Sequence, residues 1–191
     1  MLKITKKLTL NLKILRFFII PTILVSTPFY NIQDAKAGLE FQWDQDDNFR
    51  RLKWFQKENR RRFRNKIYFF FRPSDRKTDL LKINLAIPKT FKSTLKNEKI
   101  SFCKVRIGGF ENRTKCLEDI PADIEINTDE SGLRSIDIYP YRPIPSNKDN
   151  YAIVLKVFNP KKSGLFQFHS FGQPKGESFT SYLGSWTIVI D

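Results

Sequence analysis

Short segments in which apolar and polar residues alternate recur along most of this chain, and they restrict its fold more than any other feature. Such segments lie at residues 81–87, 103–107, 124–126, 136–138, 166–168 and 186–190, and residues 151–158 form a longer segment that is apolar except at Lys156. A period of two places every second side chain on one face of a strand. Prolines and glycines such as Pro88, Gly108 and Pro160 follow the segments and mark turns.

About eight short strands separated by turn signals are typical of an all-β domain. Alternation with one apolar face indicates antiparallel sheets that each bury a single face. The 18 phenylalanines of the chain also favour strands over helices. The sequence therefore predicts a mostly β fold, an antiparallel, immunoglobulin-like β-sandwich over residues 67–191.

Residues 38–66 form a charged segment with a different periodicity. Its apolar residues fall at a spacing of three to four, near one face of a helix, at Phe49, Leu52, Phe55, Phe63 and Ile67. Asp46 or Asp47 can cap the start of this helix by accepting backbone N–H bonds. We therefore expect one basic α-helix from Asp46 to about Lys66.

The same segment carries a dense run of positive charge that is opposed, after Asp47, by Glu58 alone. Guanidinium groups bind phosphate and carboxylate in a bidentate manner. The sequence thus predicts binding to an anionic surface through Arg50, Arg51, Arg60, Arg61, Arg62 and Arg64. The alternative is a solvated helix face whose phenylalanines pack on the sheet.

Residues 1–37 have the pattern of a secretory signal peptide. Basic residues precede an apolar stretch at residues 17–25, which is about half as long as a membrane span. The small-x-small triplet Ala35-Lys36-Ala37 then predicts cleavage before Gly38. An uncleaved N-terminal anchor is the alternative. We expect an exported protein.

The formal net charge of +14 favours an anionic partner, and the chain stays basic without residues 1–37. An anionic membrane surface and an envelope polymer are the candidate partners. Nucleic acid is not expected, because an exported protein does not meet chromosomal DNA or ribosomal RNA. A protein partner is a further candidate, since so many phenylalanines are compatible with an exposed apolar sheet face.

Cys103 and Cys116 are the two cysteines of the chain. An even count in an exported protein favours a disulfide, because that compartment is oxidising. Two free thiols and a catalytic pair are the alternatives. A metal site is not predicted, since structural zinc requires four ligands.

Catalytic patterns are weak in this sequence. His169 is the single histidine, and no Gly-x-Ser-x-Gly motif accompanies it. A partly exposed histidine on a sheet explains this residue better than a hydrolase base does. We therefore expect no enzyme, no cofactor, no catalytic residue and no bound metal.

The C-terminal third resembles a known family. Asn159-Pro160, Ser163-Gly164, Pro174 with Gly176, and Leu183-Gly184 follow one another in an order similar to that of a cyanobacterial secreted family, domain of unknown function 2808. The resemblance implies a protein of the periplasm, the thylakoid lumen or the cell envelope. It implies no activity and no catalytic residues.

The sequence as a whole predicts an envelope-associated, non-enzymatic binding or structural module that docks on an anionic surface or a protein partner. A small wall-active or carbohydrate-active enzyme built on a β-sandwich is the alternative from another class. That alternative requires two facing carboxylates in a cleft, and the sequence nominates no such pair. A subunit of a larger complex is the third interpretation.

Overall fold

The computed structural model describes residues 50–191. The predicted signal peptide, with its cleavage residues Ala35, Ala37 and Gly38, lies outside the described residues, as does the start of the predicted helix at residues 46–49. Within residues 50–191, no helix is long and apolar enough to cross a membrane.

Ten antiparallel strands form two sheets of five. In chain order they are β1 (Trp54–Gln56), β2 (Arg64–Phe71), β3 (Leu80–Ile87), β4 (Ile100–Arg106), β5 (Lys115–Asp119), β6 (Ala122–Thr128), β7 (Arg134–Pro140), β8 (Tyr151–Phe158), β9 (Gly164–Pro174) and β10 (Ser181–Ile190). The first sheet has the order β1-β2-β8-β4-β5, and the second has the order β10-β9-β3-β7-β6. Two short 3₁₀ turns lie at Pro73–Asp75 and Asn97–Lys99. This arrangement confirms the predicted antiparallel β-sandwich.

Aromatic side chains fill the space between the two sheets. Phe69 from β2 lies 4.9 Å from both Phe168 and Trp186, measured between ring centroids. Phe71 meets Trp186 edge to face at 5.2 Å. All four side chains are fully buried, and each such burial contributes about 2–3 kcal/mol to stability. The alternating strands thus bury their apolar face in one shared core.

The predicted basic helix is wrong over residues 50–66. These residues form β1, a turn and the start of β2, so the sandwich begins before Ile67. Arg62 has a φ of +63°, which reverses the chain between the two strands. Leu52 is buried in the core, whereas Phe55 and Phe63 are 38% and 49% exposed, so the apolar residues share no single buried face. Tertiary strand pairing overrides the helical spacing here.

Asn159 stabilises the turn that replaces the helix. Its Nδ2 donates to the carbonyl oxygens of Glu58 and Arg60 at 3.1 and 2.8 Å. Its Oδ1 accepts a bond from Nδ2 of Asn65 at 3.0 Å, and both asparagine side chains are buried. The Asn-Pro pair after β8 therefore secures the β1–β2 turn as well as ending a strand.

Both edges of the sandwich are closed by chain segments that change sheets. The backbone of Leu52 donates to Ser185 in β10 at 2.8 Å, and Trp54 then pairs with Phe69 in the first sheet. On the opposite side β5 runs into β6, and the Ile120 amide donates to Phe102 at 2.8 Å. Closure of this kind leaves few unpaired strand edges.

Gly184 makes the first of these crossings possible. It sits at a bulge in β10 with a φ of +143°. A Cβ atom at this position would lie 2.7 Å from the Arg50 carbonyl oxygen and 2.7 Å from the Leu52 side chain. The chain before β1 can therefore pack on β10 because residue 184 has no side chain.

We expect Gly184→Ala to destabilise the fold by about 2–3 kcal/mol, because the methyl group adds a steric overlap to the backbone strain. Gly164→Ala is the matched control: its φ is +150°, and a Cβ atom there meets nothing within 4 Å. It should cost only about 1 kcal/mol, the backbone term alone. Urea denaturation measures both values, and equal losses would contradict the close approach of residues 50–52.

Candidate functional site

A second hydrophobic cluster covers the outer face of the first sheet. Its buried members alternate with the core residues of β2, β4 and β8, and they are Tyr68, Phe70, Cys103, Val105, Ala152 and Val154. Ile107, at the start of the loop between β4 and β5, packs against this cluster. The β4–β5 hairpin therefore belongs to the outer face of the sheet as well as to its edge.

The disulfide between Cys103 and Cys116 is present and joins the two strands of this hairpin. The two Cα atoms are 5.7 Å apart. In the loop, the Gly108 amide donates to the Thr114 hydroxyl at 3.0 Å, and the Gly109 amide donates to the Asn112 carbonyl at 2.9 Å. Covalent and hydrogen bonds thus fix the hairpin beside the outer cluster.

Four lysines lie side by side at one end of the same outer face, and we call them the lysine row: Lys57, Lys66, Lys156 and Lys99. Lys66 and Lys156 are direct partners in the β2–β8 pair. The Lys57 amide donates to the Lys66 carbonyl at 3.2 Å. Lys99 precedes Ile100, the partner of Leu155, and lines a recess together with Lys156. Lys66 and Lys156 thus lie in the two central strands of the row, while Lys57 follows β1 and Lys99 precedes β4.

The lysine row is electrostatically unfavourable for the isolated protein. Like charges directly opposite each other on neighbouring strands, which are about 4.8 Å apart, destabilise a sheet. Within residues 50–191, the carboxylates in ion pairs contact other cations, and none contacts a member of the row. The Lys66 ammonium group instead lies 4.9 Å from the Tyr68 ring centroid. A bound anion would relieve the repulsion.

The six arginines predicted to bind an anionic surface do not form one site. Arg50 is turned toward the β2–β3 turn, where it contacts the Ser74 carbonyl and lies 3.6 Å from the Asp75 carboxylate. Arg60 forms a bidentate pair with Glu58 at 2.8 and 3.0 Å. Hydrogen bonds from Arg60 lower the pKa of Glu58 to about 2, so this pair stays ionised.

The other four arginines remain on the surface at three separate places. Arg61 and Arg62 lie in the β1–β2 turn and line a shallow recess with Lys161. The guanidinium of Arg64 lies 5.4 Å from the Phe158 ring centroid, next to the lysine row. Arg51 lines a separate groove near the β4–β5 hairpin. The positive surface therefore includes Arg64 but is centred on lysines that the arginine pattern did not indicate.

His169 belongs to a small polar network on the outer face of the second sheet. Its Nδ1 atom lies 2.7 Å from the Ser185 Oγ, and that oxygen also lies 2.5 Å from the Tyr182 hydroxyl. Ser185 is fully buried, and its Oγ is already shared between two partners. Burial lowers the pKa of His169, which favours the neutral ring. The contacts explain the histidine as a structural hydrogen-bonding group.

Cys103, Cys116 and Asp119 place metal-ligand atoms within 4.8 Å of one another. The two sulfur atoms are bonded to each other, however. Metal binding by cysteine requires the thiolate, so this group does not constitute a metal site while the disulfide is intact.

A family model described as "Protein of unknown function (DUF2808)" matches residues 41–190, a range that contains all ten strands. The chain belongs to this family. The match confirms the resemblance seen in the C-terminal motifs, and the description assigns no activity to its members. No curated protein matches the chain.

Several solved structures are similar to this family member at low sequence identity. They include the collagen-binding domain from a Staphylococcus aureus adhesin, with 13% identity, coverage of 72% of this chain and 95% of that chain, and a TM-score of 0.38. BslA, a bacterial hydrophobin, has 12% identity, with coverage of 74% of this chain and 97% of that chain and a TM-score of 0.43. The collagen-binding subdomain of the Enterococcus faecalis surface protein ACE has 9% identity, with coverage of 71% of this chain and 95% of that chain and a TM-score of 0.38. Likenesses this distant carry no information about the ligand of the present protein.

Removal of the disulfide should destabilise this DUF2808 domain. We expect the double substitution Cys103→Ala and Cys116→Ala to lower the free energy of unfolding by about 3 kcal/mol, because the bridge restricts a short loop in the unfolded chain. Urea denaturation measures the loss. Hydrogen exchange should show its largest increase at residues 107–114, and unchanged exchange there would contradict the role of the bridge in fixing the hairpin.

Proposed function

We propose that this protein is an exported, non-enzymatic binding module that docks on an anionic surface of the cell envelope. The observation that carries the proposal is the lysine row, in which Lys66 and Lys156 are direct cross-strand partners and Lys57 and Lys99 flank them at the ends of neighbouring strands. A site of this kind binds negative charge through its ammonium groups. Docking replaces the repulsion between the lysines with attraction to the surface.

Two sequence features support export. Residues 1–37 have the composition and cleavage triplet of a secretory signal. The Cys103–Cys116 disulfide is a bond that forms and persists in oxidising compartments. Export to the periplasm, the thylakoid lumen or the cell envelope is therefore part of the proposal.

Neighbouring groups extend the positive surface beyond the lysine row. Arg64 and Phe158 border the recess that Lys99 and Lys156 line. Phe158 is 55% exposed, so an aromatic ring stands among the cations. Aromatic rings enter the head-group layer of a membrane while basic side chains bind the anionic lipids. This combination favours a lipid surface as the docking target.

Binding should weaken when the row is neutralised. Near an anionic membrane each basic residue contributes about 1 kcal/mol, so Lys66→Gln with Lys156→Gln should reduce the partition coefficient about 30-fold. Co-sedimentation with vesicles that contain phosphatidylglycerol measures the change, and binding should also fall as salt increases. Lys89→Gln with Lys175→Gln removes the same charge from exposed loop positions and is the control. An equal loss in both double variants would overturn the proposal.

A charge reversal separates binding from stability. Lys156→Glu places a carboxylate opposite Lys66, so it should raise the free energy of unfolding by about 0.2–1 kcal/mol. The same variant should bind anionic vesicles more weakly than the native protein. If the lysine row had a purely structural role, this variant would instead have a lower free energy of unfolding than the native protein.

A further inference from the structure

A groove lies on the outer face of the first sheet between residues 51–57 and the β4–β5 hairpin at residues 107–114, and we call it the hairpin groove. It consists of two open recesses of about 610 and 510 Å³ that share Phe55, Gly108 and Thr114. Apart from Lys57, its lining residues are different from those of the lysine row. It is therefore a second candidate site.

The apolar part of the hairpin groove is formed by three side chains from different elements. Phe55 belongs to β1, Phe70 belongs to β2, and Ile107 begins the hairpin loop. Phe55 is 38% exposed and its ring lies 6.0 Å from that of Tyr68. The groove thus offers an aromatic surface that is accessible from solvent and supported by the buried outer cluster.

Positive charge surrounds this apolar surface. Arg51, Lys53, Lys57 and Arg113 line the two recesses and are exposed. Arg72 also lines one recess, but its guanidinium is engaged by Asp75 at 3.0 Å. Among the described lining residues there is no carboxylate. The groove is therefore complementary to a ligand that combines negative charges with an apolar group.

The neutral polar groups of the groove distinguish between ligand classes. Asn112 and Thr114 are its only neutral polar side chains among the described lining residues, and the Thr114 hydroxyl already accepts a bond from Gly108. A polysaccharide brings many hydroxyl groups, which are costly to bury without partners. An acidic peptide brings carboxylates and apolar side chains, which match the cations and the aromatic surface.

We propose that the hairpin groove binds an extended acidic peptide segment of another protein, one that carries an aromatic or large aliphatic side chain. The apolar side chain of the peptide packs on Phe55 and Ile107, above the buried ring of Phe70. Its carboxylates pair with Arg51 and Arg113 on opposite sides of the groove. Arginine provides a planar fork for such carboxylates, which adds geometric specificity to the attraction.

The direct test is fluorescence anisotropy with a labelled peptide that alternates Glu and Phe, added to the purified full chain. We expect saturable binding that weakens as salt increases. A peptide with Gln in place of Glu, and one with Ala in place of Phe, should each bind about tenfold more weakly. The first loses its ion pairs with the cations of the groove, and the second loses its contact with the apolar surface. Equal binding of all three peptides would overturn the proposal.

Variants assign the binding to the groove. Arg51→Gln with Arg113→Gln should weaken peptide binding about tenfold or more, since hydrogen bonds to charged groups are lost. Phe55→Ala should weaken it about fivefold while the half-exposed position keeps the fold intact. Lys66→Gln with Lys156→Gln alters the lysine row only, so peptide binding should stay within about twofold of the native value.

Three outcomes would contradict the assignment to an acidic peptide from another protein. A polyuronate that binds more tightly than the peptide would assign the groove to a polysaccharide. Anionic vesicles that displace the peptide would extend the lipid-docking surface to the groove. Peptide binding that occurs only after deletion of residues 41–49, which include Asp44, Asp46 and Asp47, would assign the groove to a segment of the same chain. Failure of vesicle docking in the lysine-row variants would not affect any of these results.

Discussion

The antiparallel pairing of β2 with β8 is the contact on which the rest of the structure depends. It aligns eight residues of each strand, from Arg64 opposite Phe158 to Phe71 opposite Tyr151. This register turns Phe69 into the core and Tyr68 toward the outer face. A shift of one residue would exchange the two faces. The core, the outer cluster and the lysine row are therefore consequences of a single register.

The same pairing creates an electrostatic cost. Lys66 and Lys156 face each other because the hydrophobic residues beside them must face inward. Stability alone would favour opposite charges at this pair of positions. Under the proposed docking function, the anionic surface offsets this cost. The hairpin groove also gathers cations on the outer face of the first sheet. These cations surround an aromatic surface, and the disulfide fixes one wall of the groove.

The sequence predicts the strands well where their pattern is local. Residues 81–87 alternate and residues 151–158 are apolar except at Lys156, and both segments are strands in the structure. The disulfide also follows from the even cysteine count and the predicted export. The sequence wrongly predicts a helix over residues 50–66 because Leu52, Phe55 and Phe63 have helical spacing. The strands that pair with this region lie elsewhere in the chain, so local spacing does not reveal them. The lysine row could not be predicted, since only the strand pairings bring Lys156 beside Lys66 and Lys99 beside Lys156.

A nuclear Overhauser measurement on the isotope-labelled protein tests the pairing of β2 with β1 and β8. We expect cross-strand contacts between backbone protons of Lys66 and Lys156, and between those of Lys57 and Lys66. Contacts between residues three apart throughout residues 50–66 would instead show a helix. In a helix, Lys66 would no longer pair with Lys156 and Lys57 would no longer lie beside Lys66, so that result would contradict the proposed docking surface.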